Sequence, residues 1–217
     1  MSARPPEITT ITLGDLSTNC YVLSCPSTNQ AVVIDPADTG EVIAEEILRQ
    51  NLDLQAIWLT HAHFDHVLGL LPLVMSFNIP VYLHPADQFL LENAGKSAQY
   101  WLQRTVDPVP NTTTELKPGQ ELGFGKFSFE VLHSPGHTPG SCSFLWKGET
   151  TTDVNEYKKF TQPPLLFAGD VIFAEGIGRT DFRYSDPKQL DRSIIKLQKR
   201  AAGAAVYPGH GEGFLLR

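Results

Sequence analysis

The chain has 217 residues, 41% hydrophobic and 19% charged, enough to bury a real core without disulfides or metal staples, so any metal site is expected to serve chemistry. Its 17 basic against 24 acidic residues give a formal net charge of −7 and a pI near 5.4, which argues against nucleic acid and anionic membrane surfaces as partners. The first residues lack a basic stretch followed by an apolar run, no window approaches eighteen apolar residues, and Cys20, Cys25 and Cys142 lack metal-like spacing. The expectation is one cytoplasmic domain, residues 1–217, with reduced core thiols.

Short apolar, β-branched runs open the chain at Ile8 to Leu13, Cys20 to Leu23 and Ala31 to Ile34, each closed by turn-forming residues, and read as strands. Glu41 to Leu52 reads as a helix, with Ile43 and Ile47 four apart and Asp38 placed to cap it. Strands are then predicted at Ala56 to Leu59, Val81 to Leu83, Phe127 to Leu132, Ser143 to Trp146, Leu165 to Phe167 and Ala204 to Tyr207. Helices are predicted over Val67 to Phe77, over Pro85 to Arg104 with a break near Gly95, and over Pro187 to Arg200. Asp186 caps the last, with Leu190, Ile194 and Leu197 as its apolar stripe. Gly148 to Pro164, polar with three consecutive threonines, reads as an exposed insertion loop. Strands in succession followed by interleaved helices predict an α/β layered domain.

The chemistry gathers after the run Ala56 to Leu59, where His61, His63, Asp65 and His66 form an H-x-H-x-D-H string. Imidazoles and carboxylates are the ligand set for zinc and similar divalent ions. Alternate residues of an extended segment point the same way, so His61 and His63 can reach one ion while Asp65 and His66 turn toward a second position. Three further strands each run into small residues and one metal-capable side chain: His137 in Ser134 to Gly140, Asp170 after Ala168-Gly169, and His210 in Pro208 to Gly211. Loops at strand ends on a rigid sheet are where sites collect. Asp35 closes the strand Ala31 to Ile34, and is a candidate partner for the far nitrogen of a ligand histidine or a buried turn-capping residue. His84, His133 and the tryptophans Trp58, Trp101 and Trp146 read as structural.

In this order, H-x-H-x-D-H, then H, then D, then H, the chain resembles the metallo-β-lactamase fold hydrolases. Ser134-Pro135-Gly136-His137-Thr138-Pro139-Gly140-Ser141 and Gly169-Asp170-Val171-Ile172-Phe173 through Gly178-Arg179-Thr180-Asp181 resemble the glyoxalase II, or hydroxyacylglutathione hydrolase, branch and its short relatives. The resemblance implies a four-layer αββα sandwich. It also implies a dinuclear site with His61, His63 and His137 on one metal, Asp65, His66 and His210 on the other, and Asp170 bridging. The short branch lacks the C-terminal helical region that contacts glutathione, and Gly178 to Phe182 stands where the family places lysine and tyrosine contacts.

Two divalent ions, zinc with iron or manganese as alternatives, would lower the pKa of a shared water toward ~7 and polarise a carbonyl. A thiolate, of parent pKa about 8.5, departs with little protonation, so a thioester suits the site. Asp65 is expected to orient the nucleophile as well as to ligate. The expectation is a thioesterase acting on S-lactoylglutathione or a related hydroxyacyl thioester, an anionic small molecule drawn by the local positive charge. An iron-dependent persulfide dioxygenase and a lactonase are the alternatives within the fold.

Overall fold

The computed structural model describes residues 5–148, 150–152 and 159–217. Its first half builds one six-stranded sheet from β1 (Glu7–Leu13), β2 (Thr18–Ser24), β3 (Gln30–Ile34), β4 (Asp53–Trp58), β5 (Val81–Leu83) and β6 (Thr114–Glu115), in that order across the sheet. β1 to β3 are antiparallel and joined by tight turns, whereas β3 to β6 are parallel. Parallel neighbours need a crossover. The crossovers are α1 (Gly40–Arg49), the pair α2 (Phe64–Val67) and α3 (Leu70–Phe77), and α4 (Gln88–Leu102).

The second half adds β7 (Glu121–Phe124), β8 (Phe127–His133) and β9 (Cys142–Trp146), then the ribbon of β10 (Thr150–Thr152) and β11 (Lys159–Thr161). It continues through β12 (Leu165–Gly169), the ribbon of β13 (Ile172–Phe173) and β14 (Gly176–Ile177), α5 (Pro187–Arg200), β15 (Ala205–Pro208) and β16 (Phe214–Leu215). The second six-stranded sheet has the order β16-β15-β12-β9-β8-β7.

Period-two alternation decides the layers. In β2 to β4, Cys20, Val22, Val33 and Ile57 face one way and pack on Ile43, Ile47, Leu70, Leu73 and Leu91 of the helices. Tyr21, Leu23, Val32, Ile34 and Trp58 face the other way, against Phe129, Val131, Phe144, Trp146 and Phe167 of the second sheet. The outer face of that sheet, with Leu132, Leu145 and Leu166, meets Leu190 and Leu197 of α5. The result is the four-layer αββα arrangement that the family resemblance implies.

Several boundaries differ from the sequence reading. Asp38 does not cap α1, whose cap position is Thr39 without a side-chain bond; the Asp38 carboxylate takes the Arg104 guanidinium instead. The helix expected over Val67 to Phe77 is two, parted at Gly69, where a Cβ would strike the Pro36 carbonyl. α4 runs unbroken through Gly95, because one glycine costs a helix only about 1 kcal/mol. Asp186 does cap α5, accepting from the amides of Lys188 and Gln189. Within the stretch read as an insertion loop, 150–152 and 159–161 pair as a ribbon, while Glu149 and 153–158 lie outside the described residues. Among the described residues no helix is long and apolar enough to cross a membrane.

Trp58 stands at the centre of the inter-sheet layer, with ring centroids 5.6 Å from Phe129 and 5.5 Å from Phe144. Phe129→Ala should cost about 3–5 kcal/mol of stability, and Leu48→Ala, on the exposed face of α1, under ~0.5 kcal/mol. Urea unfolding of the two variants checks this.

Candidate metal centre

The string from His61 to His66 changes backbone geometry part-way. After β4 the chain stays extended through His63, at φ −64° and ψ 147°, and then coils into α2. His61 and His63 therefore project from an extended loop, and Asp65 and His66 from the first turn of a helix. His137 follows β8, Asp170 follows β12 and His210 follows β15. The His210 loop belongs to the second sheet but is tied to the first: the Asn19 side chain donates to Pro208 O and Gly211 O, and the Tyr21 hydroxyl to Pro208 O at 2.6 Å.

All seven residues singled out in the sequence meet at one place. His63 Nδ1 lies 3.1 Å from His61 Nε2 and 2.9 Å from His137 Nε2. Asp65 Oδ2 lies 3.3 Å from His210 Nε2 and 3.5 Å from His66 Nε2. Asp170 stands between the two sets: Oδ1 is 3.5 Å from His66 Nε2, and Oδ2 is 3.6 Å from His137 Nε2 and 3.4 Å from His210 Nε2. The sets His61, His63, His137 and Asp65, His66, His210 each offer three donors within 4.8 Å of one another.

Each imidazole is held by its other nitrogen. His66 Nδ1 donates to Asp35 Oδ2 at 2.9 Å, His137 Nδ1 to Arg179 O at 2.9 Å and His210 Nδ1 to Leu16 O at 3.0 Å. The Thr60 hydroxyl donates to Asp35 Oδ2, so its oxygen accepts from His61 Nδ1 at 3.0 Å. His63, offering Nδ1 to the cluster, donates Nε2–H to the Tyr184 hydroxyl at 2.8 Å. Five lone pairs thus face inward beside two carboxylates, an arrangement that needs cations. His66 Nε2 and Asp170 Oδ1 are buried without a hydrogen-bond partner. A Cβ at Gly209 would fall on that same Asp170 oxygen and the His66 ring. The donors and the space left beside them fit metal ions.

Electrostatics divides the sets. Burial, reinforced by neighbouring imidazoles, lowers His61 and His137 and brings His63 down to about 3. Burial alone would also lower His66 and His210, but the surrounding carboxylates raise His66 and bring His210 to about 9. Burial opposes the charge on Asp65, yet His66 and the hydrogen bond from His210 hold it at about 2. The three-histidine set is ready to bind a cation at neutral pH, whereas the second set must first release protons.

Asp35 does both things weighed for it. It sits at φ 49°, a strained left-handed conformation for a non-glycine residue, and accepts from Thr60 N, Thr60 Oγ1 and His66 Nδ1. His84 and His133 stay outside the cluster, stacked on each other at 4.2 Å. Four contributors escape sequence reading. Asp87, fully buried, accepts from Gly140 N and Thr138 Oγ1 at 2.6 Å and Ala62 N at 3.4 Å, which stitches the His61–His63 loop to the His137 loop. Tyr184 supports His63, and Phe182 packs 5.0 Å from the His63 ring. Trp101, expected in the core, is exposed and borders the cavity of about 660 Å³ above the cluster.

The metallo-beta-lactamase superfamily family model matches residues 13–152. The chain belongs to the metallo-β-lactamase superfamily. It is 33% identical over 195 residues to hydroxyacylglutathione hydrolase GloC of Haemophilus influenzae, covering 89% of this chain and 85% of that one. A di-iron-bound crystal structure of TTHA1623 superposes with a TM-score of 0.79 at 36% identity, over 96% of this chain and 94% of that chain. The BLEG-1 B3 metallo-β-lactamase structure gives a TM-score of 0.82 at 34% identity, over 97% and 94%. Membership in the superfamily accounts for both the αββα layers and the gathering of donors at the strand ends.

Two outcomes follow from the cluster. In the metal-free chain, the stability contributed by His210 is complete below its ordinary 6.5 and is lost as pH rises through about 9. That of neutral His63 is complete above 6.5 and is lost as pH falls toward about 3. That of Asp65 is lost as pH falls from 3.8 toward about 2. The melting temperature of chelator-treated protein should therefore peak near pH 6.5 and fall on both sides, as a calorimetric series from pH 4 to pH 9.5 would show. Tyr184→Phe should weaken metal retention by about tenfold, measured by competition with a chromophoric chelator, without moving the urea midpoint.

Proposed function

We propose that this chain is a metal-dependent hydrolase that cleaves thioesters, with His61, His63 and His137 holding one divalent ion, Asp65, His66 and His210 the other, and Asp170 shared. The observation that carries the reading is the pair of three-donor sets meeting at Asp170 on the floor of the cavity. A pair of divalent ions bound there supplies an activated water at neutral pH and a Lewis acid for a carbonyl oxygen. Zinc is the proposed metal; iron and manganese accept the same ligands, and TTHA1623 has been seen with iron.

The residues of the chain do the positioning. The Thr18 hydroxyl fixes Asp65 Oδ2 at 2.8 Å, and the carboxylate, ionised down to about pH 2, accepts a hydrogen bond from the attacking water and aims it. In the overall reaction a water oxygen bonds to the carbonyl carbon, the C–S bond breaks, and sulfur leaves with the electron pair and takes up a proton, giving an acid and a thiol. Asp65 and Asp170 are both held ionised, so neither serves as an acid for an alkoxide, whereas a thiolate needs none. The likeness to a hydroxyacylglutathione hydrolase supports the same chemistry. The three unpaired, buried cysteines suit the reducing cytoplasm proposed as its location.

Metal analysis and an activity panel of thioesters, lactones, a β-lactam and glutathione persulfide, run on one preparation, test the reading. Two metal equivalents and thioester cleavage lost on chelation are expected; one iron per chain, oxygen uptake with persulfide and no thioester cleavage would overturn it. Asp170→Ala should lower the content of both metals and His210→Ala mainly one. Equal two-metal occupancy in both variants contradicts the shared role of Asp170.

A further inference from the structure

The cavity above the cluster has a wall unlike its floor. Leu16 from the β1–β2 turn, Leu90 and Trp101 from α4, Phe173 and Ile177 from the β13–β14 ribbon, and Phe182 all line it. Leu16, Trp101 and Ile177 are exposed at 49, 56 and 52%. Single exposed apolar residues need no explanation, but three of them converging from three segments on one cavity mark a binding surface. At about 660 Å³ the cavity is the size of a small-molecule site.

Anion recognition is poorly provided for. Among the described residues lining the cavity, the one lysine or arginine is Arg179. Its guanidinium makes two bonds of 2.7 Å to the Asp181 carboxylate and lies over the Phe182 ring at 4.5 Å. Glutathione carries two carboxylates, and they would meet a single cation that is already paired.

We propose that the substrate of this site carries an apolar substituent next to the reacting carbonyl, an aryl or medium-chain aliphatic group seated on the wall formed by Leu16, Trp101, Phe173 and Ile177. This rests on the hydrolase reading above and replaces the expectation of an anionic substrate. Charge is matched at the cluster, where the carbonyl reacts, and the remaining affinity comes from covering apolar surface that is otherwise exposed to water.

The test uses the metal-loaded full chain and two series of thioesters. One varies the acyl group on N-acetylcysteamine from acetyl through butyryl and hexanoyl to octanoyl and phenylacetyl; the other varies the thiol at a fixed acetyl group. S-lactoylglutathione is the comparison. In the acyl series kcat/KM should rise about threefold per methylene, mainly through KM, with the thiol series as the control. Trp101→Ala and Ile177→Ala, both at exposed positions, should each reduce the octanoyl-to-acetyl ratio at least fivefold. A flat acyl series, or a tenfold preference for S-lactoylglutathione over every apolar thioester, would overturn the proposal and leave the hydrolase reading standing. S-octyl-N-acetylcysteamine, a thioether that cannot be cleaved, separates the two by calorimetry. Binding at least tenfold tighter than that of its S-ethyl counterpart supports the apolar wall even where no thioester is cleaved, which would overturn the hydrolase reading alone; equal binding of the two overturns the proposal.

Discussion

Five imidazoles and two carboxylates turn their lone pairs toward a common, mostly buried centre at the floor of a cavity, and a set of buried hydrogen bonds keeps them there. Without cations such a cluster holds together only by taking up protons, which is why the carboxylates raise His66 and His210 while burial lowers His61 and His63. The far nitrogen of each ring is bound, to a carboxylate at His66, to hydroxyls at His61 and His63, and to backbone carbonyls at His137 and His210. Those bonds select the tautomer that leaves the inner nitrogen free to ligate.

Two buried aspartates give the loops their shape. Asp35 sits in a strained backbone conformation and joins the end of β3 to the start of the histidine loop and to His66, and the strain is offset by three hydrogen bonds to one carboxylate. Asp87 takes the second half of the His137 loop and the middle of the histidine loop together. Burial raises it to about 6 even though all of its bonds favour the ionised form. One sheet cannot assemble the centre alone. Its donors come from both, and the layer around Trp58, Phe129 and Phe144 sets the distance at which the two sheets' loops meet.

Within the superfamily, the floor of the cavity and its wall carry different information. The floor is built of metal-capable donors, and the wall of apolar side chains from a turn, a helix and a short ribbon. Function on a common fold is decided by such grafted surfaces, and here the surface is apolar, with its one arginine already paired with Asp181.

The seven donors were legible because each follows a short apolar strand and four of them fall within six residues. An α/β layered domain was legible in the succession of strands and interleaved helices, whereas the four-layer sandwich was only what the family resemblance implied; in the structure both faces of β2 to β4 are buried, as in a sheet covered on each side. Helix starts and breaks were less so: the Asp38 carboxylate was drawn to Arg104, 66 positions away, and at Gly69 the amide bonds Ala37 O instead of continuing a helix, where the Pro36 carbonyl leaves no room for a Cβ. Asp87, Tyr184 and Trp101 left no local mark, since their roles depend on partners far along the chain, such as the 121 positions between His63 and Tyr184. Sequence by itself determined which residues carry metal-capable side chains and the order in which strands deliver them. The tertiary structure decided which nitrogen of each ring faces inward and what kind of surface stands beside the reacting centre, because both depend on neighbours that only folding brings within hydrogen-bond reach.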